Sequence, residues 1–182
     1  MKTAFARTQV VALAIELGVT HEYIGQRGLL EYQEASDLVS VGLCRDGREH
    51  FLTPLAAQAW LCMRTAAATV GVELVMVSAF RSVARQAEIV RRKLDAGQDL
   101  SEVLALCAPP GFSEHHTGRA VDITTPGSVP LEPAFDQTAA FAWLSRHAGA
   151  FGFRMSYPAG NAQGFGYEPW HWCFESPLTR LP

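Results

Sequence analysis

Two short stretches of this chain carry the residue types of a metal centre. The first reads Ser113-Glu114-His115-His116-Thr117-Gly118-Arg119-Ala120-Val121-Asp122, and the second Glu168-Pro169-Trp170-His171-Trp172. Between them they offer two imidazoles and a carboxylate to one divalent ion, with Glu168 as a spare carboxylate beside the last histidine. Two nitrogen ligands, one oxygen ligand and an open position for water are what a catalytic zinc site requires. Neutral imidazole and carboxylate oxygen suit Zn2+. Such a set points to hydrolysis.

The spacing says what must position these groups. The histidine pair and Asp122 are too far apart for neighbouring turns of one helix. A loop that enters a strand lets them converge, and Gly118 permits the bend. His171 then reaches the same ion from a later strand, with Trp170 and Trp172 on the opposite, core-facing side. Strands are expected at residues 72–78, 120–123, 153–156 and 170–174. Helices are expected at 4–17, 54–71, 83–96, 100–106 and 136–147, with Thr53, Ser82, Asp99 and Asp136 as N-caps and Pro54 at a first helical position. Leu55, Ala59, Trp60 and Met63 fall on one face of the second helix, and Ala140, Trp143 and Leu144 on one face of the last. Residues 20–51 read as mixed, with short strand-like or irregular pieces at 22–25, 29–32 and 38–41 and a turn at Arg45-Asp46-Gly47-Arg48. A glycine-rich loop spans 158–166, and Phe165 within it and Tyr167 just after it are candidates to line a cleft. The order predicts an α+β fold, a small antiparallel sheet carrying the zinc site and flanked by helices.

The chain has 182 residues, 48% hydrophobic and 18% charged, with a net charge of −3. That is the profile of a globular chain with a real core, and it argues against disorder. No basic stripe is present, so nucleic acid is not an expected partner, and no apolar run reaches the ~18–20 residues of a membrane span. The four cysteines form no CxxC pair and are expected as buried, reduced thiols. The basic N-terminus is followed by an apolar run, residues 10–15, that is shorter than the ~7–15 residues of a signal core, and Glu16 ends it. The expectation is an amphipathic first helix and a cytoplasmic location, with the cell wall or periplasm as the alternative site of action. A monomer is expected.

The motifs also resemble a known family. Ser113-x-His115-x-x-Gly118-x-Ala120-x-Asp122 and Glu168-x-Trp170-His171 are similar to the paired signatures of the D-alanyl-D-alanine carboxypeptidases of the VanX/VanY type, within the LAS zinc metallopeptidases (lysostaphin, D-Ala-D-Ala peptidases, sonic hedgehog). Ser78-Ala79-Phe80-Arg81-Ser82 with Gln86 resembles that family's Ser-Gly-Tyr-Arg-Ser…Gln segment, with Ala-Phe in place of Gly-Tyr. The resemblance runs from about residue 52 to 174. It divides the chain into an N-terminal helix and irregular extension, 1–51, packed on a catalytic domain, 52–182. It implies zinc on His115, Asp122 and His171, with His116 off the ligand position. It implies Glu168 as the base, Arg81 as the stabiliser of charge on the scissile carbonyl, and Ser113, Ser78 and Gln86 as substrate-binding residues. The implied substrate is a peptidoglycan stem peptide or the free D-Ala-D-Ala dipeptide. Rival readings are an L,D-carboxypeptidase, an endolysin-type L,D-endopeptidase, or a non-catalytic wall-peptide binding module with structural zinc. The presence of both Glu168 and Arg81 favours an enzyme.

Overall fold

A computed structural model describes residues 7–43 and 47–175. Helices α1 (Arg7–Glu16) and α2 (His21–Gln26) come first, then a hairpin of β1 (Val39–Leu43) and β2 (Glu49–Leu52). Helix α3 (Pro54–Thr69), strand β3 (Val75–Ser78) and helices α4 (Val83–Asp95) and α5 (Leu100–Leu106) follow. Strand β4 (Ala120–Thr124), helix α6 (Ala139–His147) and strands β5 (Phe153–Met155) and β6 (His171–Phe174) complete the order. The main sheet runs β3-β4-β6-β5, antiparallel throughout. The expected α+β class therefore holds. No helix among the described residues is long and apolar enough to cross a membrane.

The sheet sorts its residues by the two-residue period of a strand. Val121 and Ile123 of β4, and Trp172 and Phe174 of β6, join the main core with Trp60 and Met63 of α3 and Leu144 of α6. The alternate residues, Asp122 and His171, point the other way and are also buried. They are direct partners across β4 and β6, and Ser78 is the partner of Asp122 on β3. The backbone N–H of Ser156, just past β5, donates to the carbonyl of His171 at 3.4 Å. One row across the sheet thus reads Ser78, Asp122, His171, Ser156.

The N-terminal segment is tied to the loop that carries the histidines. Ala14, Val19 and Leu29 share a core cluster with Leu104, Phe112, Tyr157 and Phe165. The Tyr32 N–H donates to Gly111 O at 2.7 Å and the Ala35 N–H to His116 O at 2.8 Å. The Glu34 carboxylate accepts the Val83 N–H at the start of α4.

Several local expectations differ from the structure. Residues 22–25 are helical, because Thr20 accepts the Tyr23 N–H as an N-cap and Glu22 sits in the favourable first turn. Thr53 precedes α3 without a side-chain cap hydrogen bond, and Leu55 on that helix is 61% exposed, at the solvent-facing start of the first turn. The cap of α6 is Thr138, whose hydroxyl accepts the Phe141 N–H at 3.2 Å, while Asp136 lies in a preceding 3-10 turn. Cys107 and Cys173 are buried free thiols, but Cys62 is exposed. Cys44, Arg45, Asp46 and the first residues of the expected 4–17 helix lie outside the described residues.

Candidate metal centre

The 3-10 turn Glu114–Thr117 ends in Gly118, whose φ of +63° is left-handed and suits glycine. Chain direction reverses there and β4 begins, so His115 on the turn faces Asp122 on the strand. His115 Nε2 lies 3.2 Å from Asp122 Oδ2, and His171 Nδ1 lies 3.0 Å from Asp122 Oδ1. Ligand atoms of the three residues fall within 4.8 Å of one another, and all three side chains are buried.

The outward nitrogens are committed elsewhere. His115 Nδ1 is 2.6 Å from the Ala79 carbonyl, which can only accept, so that nitrogen carries the proton. His171 Nε2 is 3.0 Å from Glu114 Oε2. His115 therefore turns its Nε2 lone pair towards the Asp122 carboxylate, while His171 lies between two carboxylates, 3.0 Å from each. A lone pair facing a carboxylate repels it unless a cation stands between them, so the donor set fits a metal ion such as zinc.

The electrostatics say the same. Burial alone would lower the His171 pKa, but hydrogen bonds to Asp122 and Glu114 overcome it and push it up to about 10. Two carboxylates thus favour positive charge at this imidazole. Burial would raise Asp122, yet the contacts with His115 and His171 hold its carboxyl well below the usual range. Burial lowers His115.

His116 points away from this group. Its Nδ1 is 2.6 Å from the Arg81 carbonyl and its Nε2 accepts the Gly111 N–H at 3.0 Å. Both nitrogens are occupied by backbone, and burial pushes its pKa down to about 4.

The triad opens into a cleft of about 580 Å3. Ser78, Arg81, Gln86, Ser113 and Glu168 line it with the triad, as do Phe80, Phe165 and Leu131. Tyr167 does not line it and instead donates to Asp136 at 3.3 Å. Burial pushes the Glu168 carboxyl up to about 7, against the lowering effect of His171 and Arg81. Arg81 donates through Nη1 to Gln86 Oε1 at 2.8 Å, and its Nη2 is 4.0 Å from Asp122 Oδ2. Its Nε is buried without an acceptor among the described residues. Gln86 is 1% exposed and gives its amide protons to Ala108 O and Cys107 Sγ, so its side chain holds Arg81 in place.

Glu114 had no reading in the sequence. It is buried, and besides His171 it accepts from the Ser156 hydroxyl and from Arg154 Nη2 at 3.2 Å. Burial would raise its carboxyl, but His171, Ser156 and Arg154 bring it down to about 2. The available signal was a carboxylate directly beside a ligand-type histidine, a pairing that metal sites use to orient imidazoles.

Residues 49–177 match the family model VanY, D-alanyl-D-alanine carboxypeptidase. The Bacillus subtilis (strain 168) protein YodJ, whose name marks it as a carboxypeptidase candidate, is 35% identical over 127 residues, covering 68% of this chain and 46% of its own length. The chain thus spans about half of that relative. Among solved structures, the LdcB LD-carboxypeptidase matches at 33% identity with a TM-score of 0.69, covering 78% of this chain and 69% of LdcB. The vancomycin resistance D,D-pentapeptidase VanY from a VanB-type cassette, in complex with Zn(II), matches at 25% identity with a TM-score of 0.62, covering 80% of this chain and 82% of that one.

Proposed function

The chain belongs to the VanY family of D-alanyl-D-alanine carboxypeptidases, and on that premise we propose that it is a zinc-dependent carboxypeptidase that hydrolyses the D-alanyl-D-alanine-type bond of peptidoglycan stem peptides or of the free dipeptide. The observation that carries the reading is the convergence of His115 Nε2 and His171 Nδ1 on the two oxygens of Asp122, with both outward nitrogens already bound. Catalytic roles for Glu168 and Arg81 belong to the same proposal.

His115, Asp122 and His171 would hold the zinc. Bound there, zinc supplies Lewis-acid polarisation of a carbonyl and lowers the pKa of water. Glu168 takes a proton from the attacking water and returns it to the leaving amine, so the C–N bond breaks as the new C–O bond persists. Its raised pKa suits both halves of that exchange, since a base near neutrality can also give its proton back. Arg81, braced by Gln86, donates to the negative charge that develops on the scissile oxygen. Ser78 and Ser113 contribute hydroxyls at the cleft wall for the backbone of the peptide.

A second reading, L,D-carboxypeptidase, is favoured by one observation: the likeness to LdcB exceeds that to the D,D-pentapeptidase in both identity and TM-score. Both readings release a C-terminal D-alanine and differ in the configuration of the residue before it. Incubation of the purified protein with D-Ala-D-Ala, a stem pentapeptide and a stem tetrapeptide, read by mass spectrometry, separates them. Loss of D-alanine from the pentapeptide or dipeptide is the expected result, loss from the tetrapeptide alone establishes the second reading, and no cleavage of any overturns both.

A further inference from the structure

We propose that Glu114 is the positioning residue of the metal centre: it decides which nitrogen of His171 faces the ion. The inference rests on the zinc reading above and concerns a residue outside the triad.

An imidazole has two nitrogens, and the hydrogen bond made by one determines what the other can do. On His171 the outer nitrogen, Nε2, meets Glu114 Oε2 at 3.0 Å. Asp122 is equally close to the inner nitrogen, Nδ1, at 3.0 Å; with the ion seated on that side, the Glu114 carboxylate, which can only accept, keeps the proton on Nε2 and leaves the lone pair on Nδ1. The ring is held in other directions too. Tyr157 lies against it with centroids 4.8 Å apart, and His115 meets it edge-on at 4.9 Å.

Glu114 is itself fixed. Ser156, the next residue along the row from His171, donates its hydroxyl to Oε2, and Arg154 Nη2 donates to Oε1 at 3.2 Å. Arg154 is tied in turn to Glu175. In a 3-10 turn successive side chains diverge by about 120°. Glu114 and His115 therefore reach His171 from different sides, although they are neighbours in sequence. A single turn supplies one ligand and holds another.

Glu114→Gln is the informative change because it keeps shape and removes charge. Ser156 and Arg154 donate to different oxygens, so the NH2 group of the amide meets a donor whichever way it turns, and the negative charge that holds the Nε2 proton is gone in either case. Loss of such an outer partner lowers metal affinity by about 10–100-fold.

The experiment measures zinc affinity by chelator competition for the wild type and Glu114→Gln, with folding checked by circular dichroism. It also records 15N spectra of histidine-labelled wild type loaded with cadmium-113, where coupling identifies the ligating nitrogen. The expected result is coordination of His171 through Nδ1, a protonated Nε2, and a loss of about 10–100-fold in zinc affinity for the variant. Coordination through Nε2, or a folded variant with wild-type affinity, overturns the proposal while leaving the zinc reading in place. Wild type that binds neither metal overturns both. If the variant does not fold, the wild-type spectrum alone decides.

Discussion

The backbone N–H of His171 donates to the carbonyl oxygen of Glu168 at 3.1 Å, so a candidate metal ligand and the candidate base are the two ends of one turn leading into β6. The turn is anchored by buried Trp170, and the Glu168 N–H donates to Tyr157 O at 3.0 Å. The reach of Glu168 towards the triad is therefore set by backbone rather than by a flexible loop.

Replacing Glu168 by alanine is expected to cut kcat by about 10²–10⁴-fold, the usual worth of a general acid–base group. Zinc stoichiometry should stay at the wild-type level, since the side chain is not in the triad. Steady-state kinetics beside metal analysis checks this, and unchanged hydrolysis removes the residue from the mechanism.

Removal of zinc with a chelator is expected to abolish activity and lower the thermal midpoint, and added zinc should restore both. A ligand that binds only the folded state stabilises it by about 4 kcal/mol at a thousand times its Kd. Differential scanning fluorimetry with and without zinc reads the shift. Full activity in a metal-free preparation refutes the metal mechanism.

Arg81→Met is expected to lower kcat/KM by about 10²–10³-fold, as loss of an oxyanion donor does. It should also move the acidic limb of the pH profile. Activity needs Glu168 deprotonated, so it falls as pH drops through the pKa of that group. Burial raises that pKa and Arg81 opposes the rise, so the variant's limb lies at higher pH. A limb that stays in place, or shifts to lower pH, contradicts this.

Gly118→Ala is expected to destabilise the fold by about 1–3 kcal/mol through its left-handed backbone alone. The added Cβ would also meet Leu38 at 2.8 Å and Ala35 at 3.2 Å. Urea denaturation measures it, and a midpoint equal to wild type would count against the strain argument.

The sequence patterns that were legible are those in which local chemistry and tertiary role coincide. Ser82 and Asp99 cap their helices because a hydroxyl or carboxylate finds the first free N–H groups without outside help. The alternation around His171 reported both the strand and its two faces. The triad was legible because ligand chemistry restricts residue type. Elsewhere the deciding partner lies far along the chain. Glu114 depends on Arg154 and Ser156, some forty positions away, so nothing beside it in sequence marks its role. Gln86 is a similar case: the family resemblance implied contact with substrate, and nothing beside it in sequence marks its hydrogen bonds to Arg81, Cys107 and Ala108. Tyr23 and Ile24 look like strand residues, and only the Thr20 cap reveals the short helix around them.

The docking of residues 32–35 bears on how this enzyme can be cut and moved. The family match begins at residue 49, yet Tyr32 and Ala35 are laced to Gly111 and His116, and Glu34 to the first N–H of α4. A gene fragment trimmed to the boundary of the family would encode every ligand and the base but leave those amides and carbonyls to water. An excised, fused or transplanted version is therefore expected to need the residues upstream of that lacing.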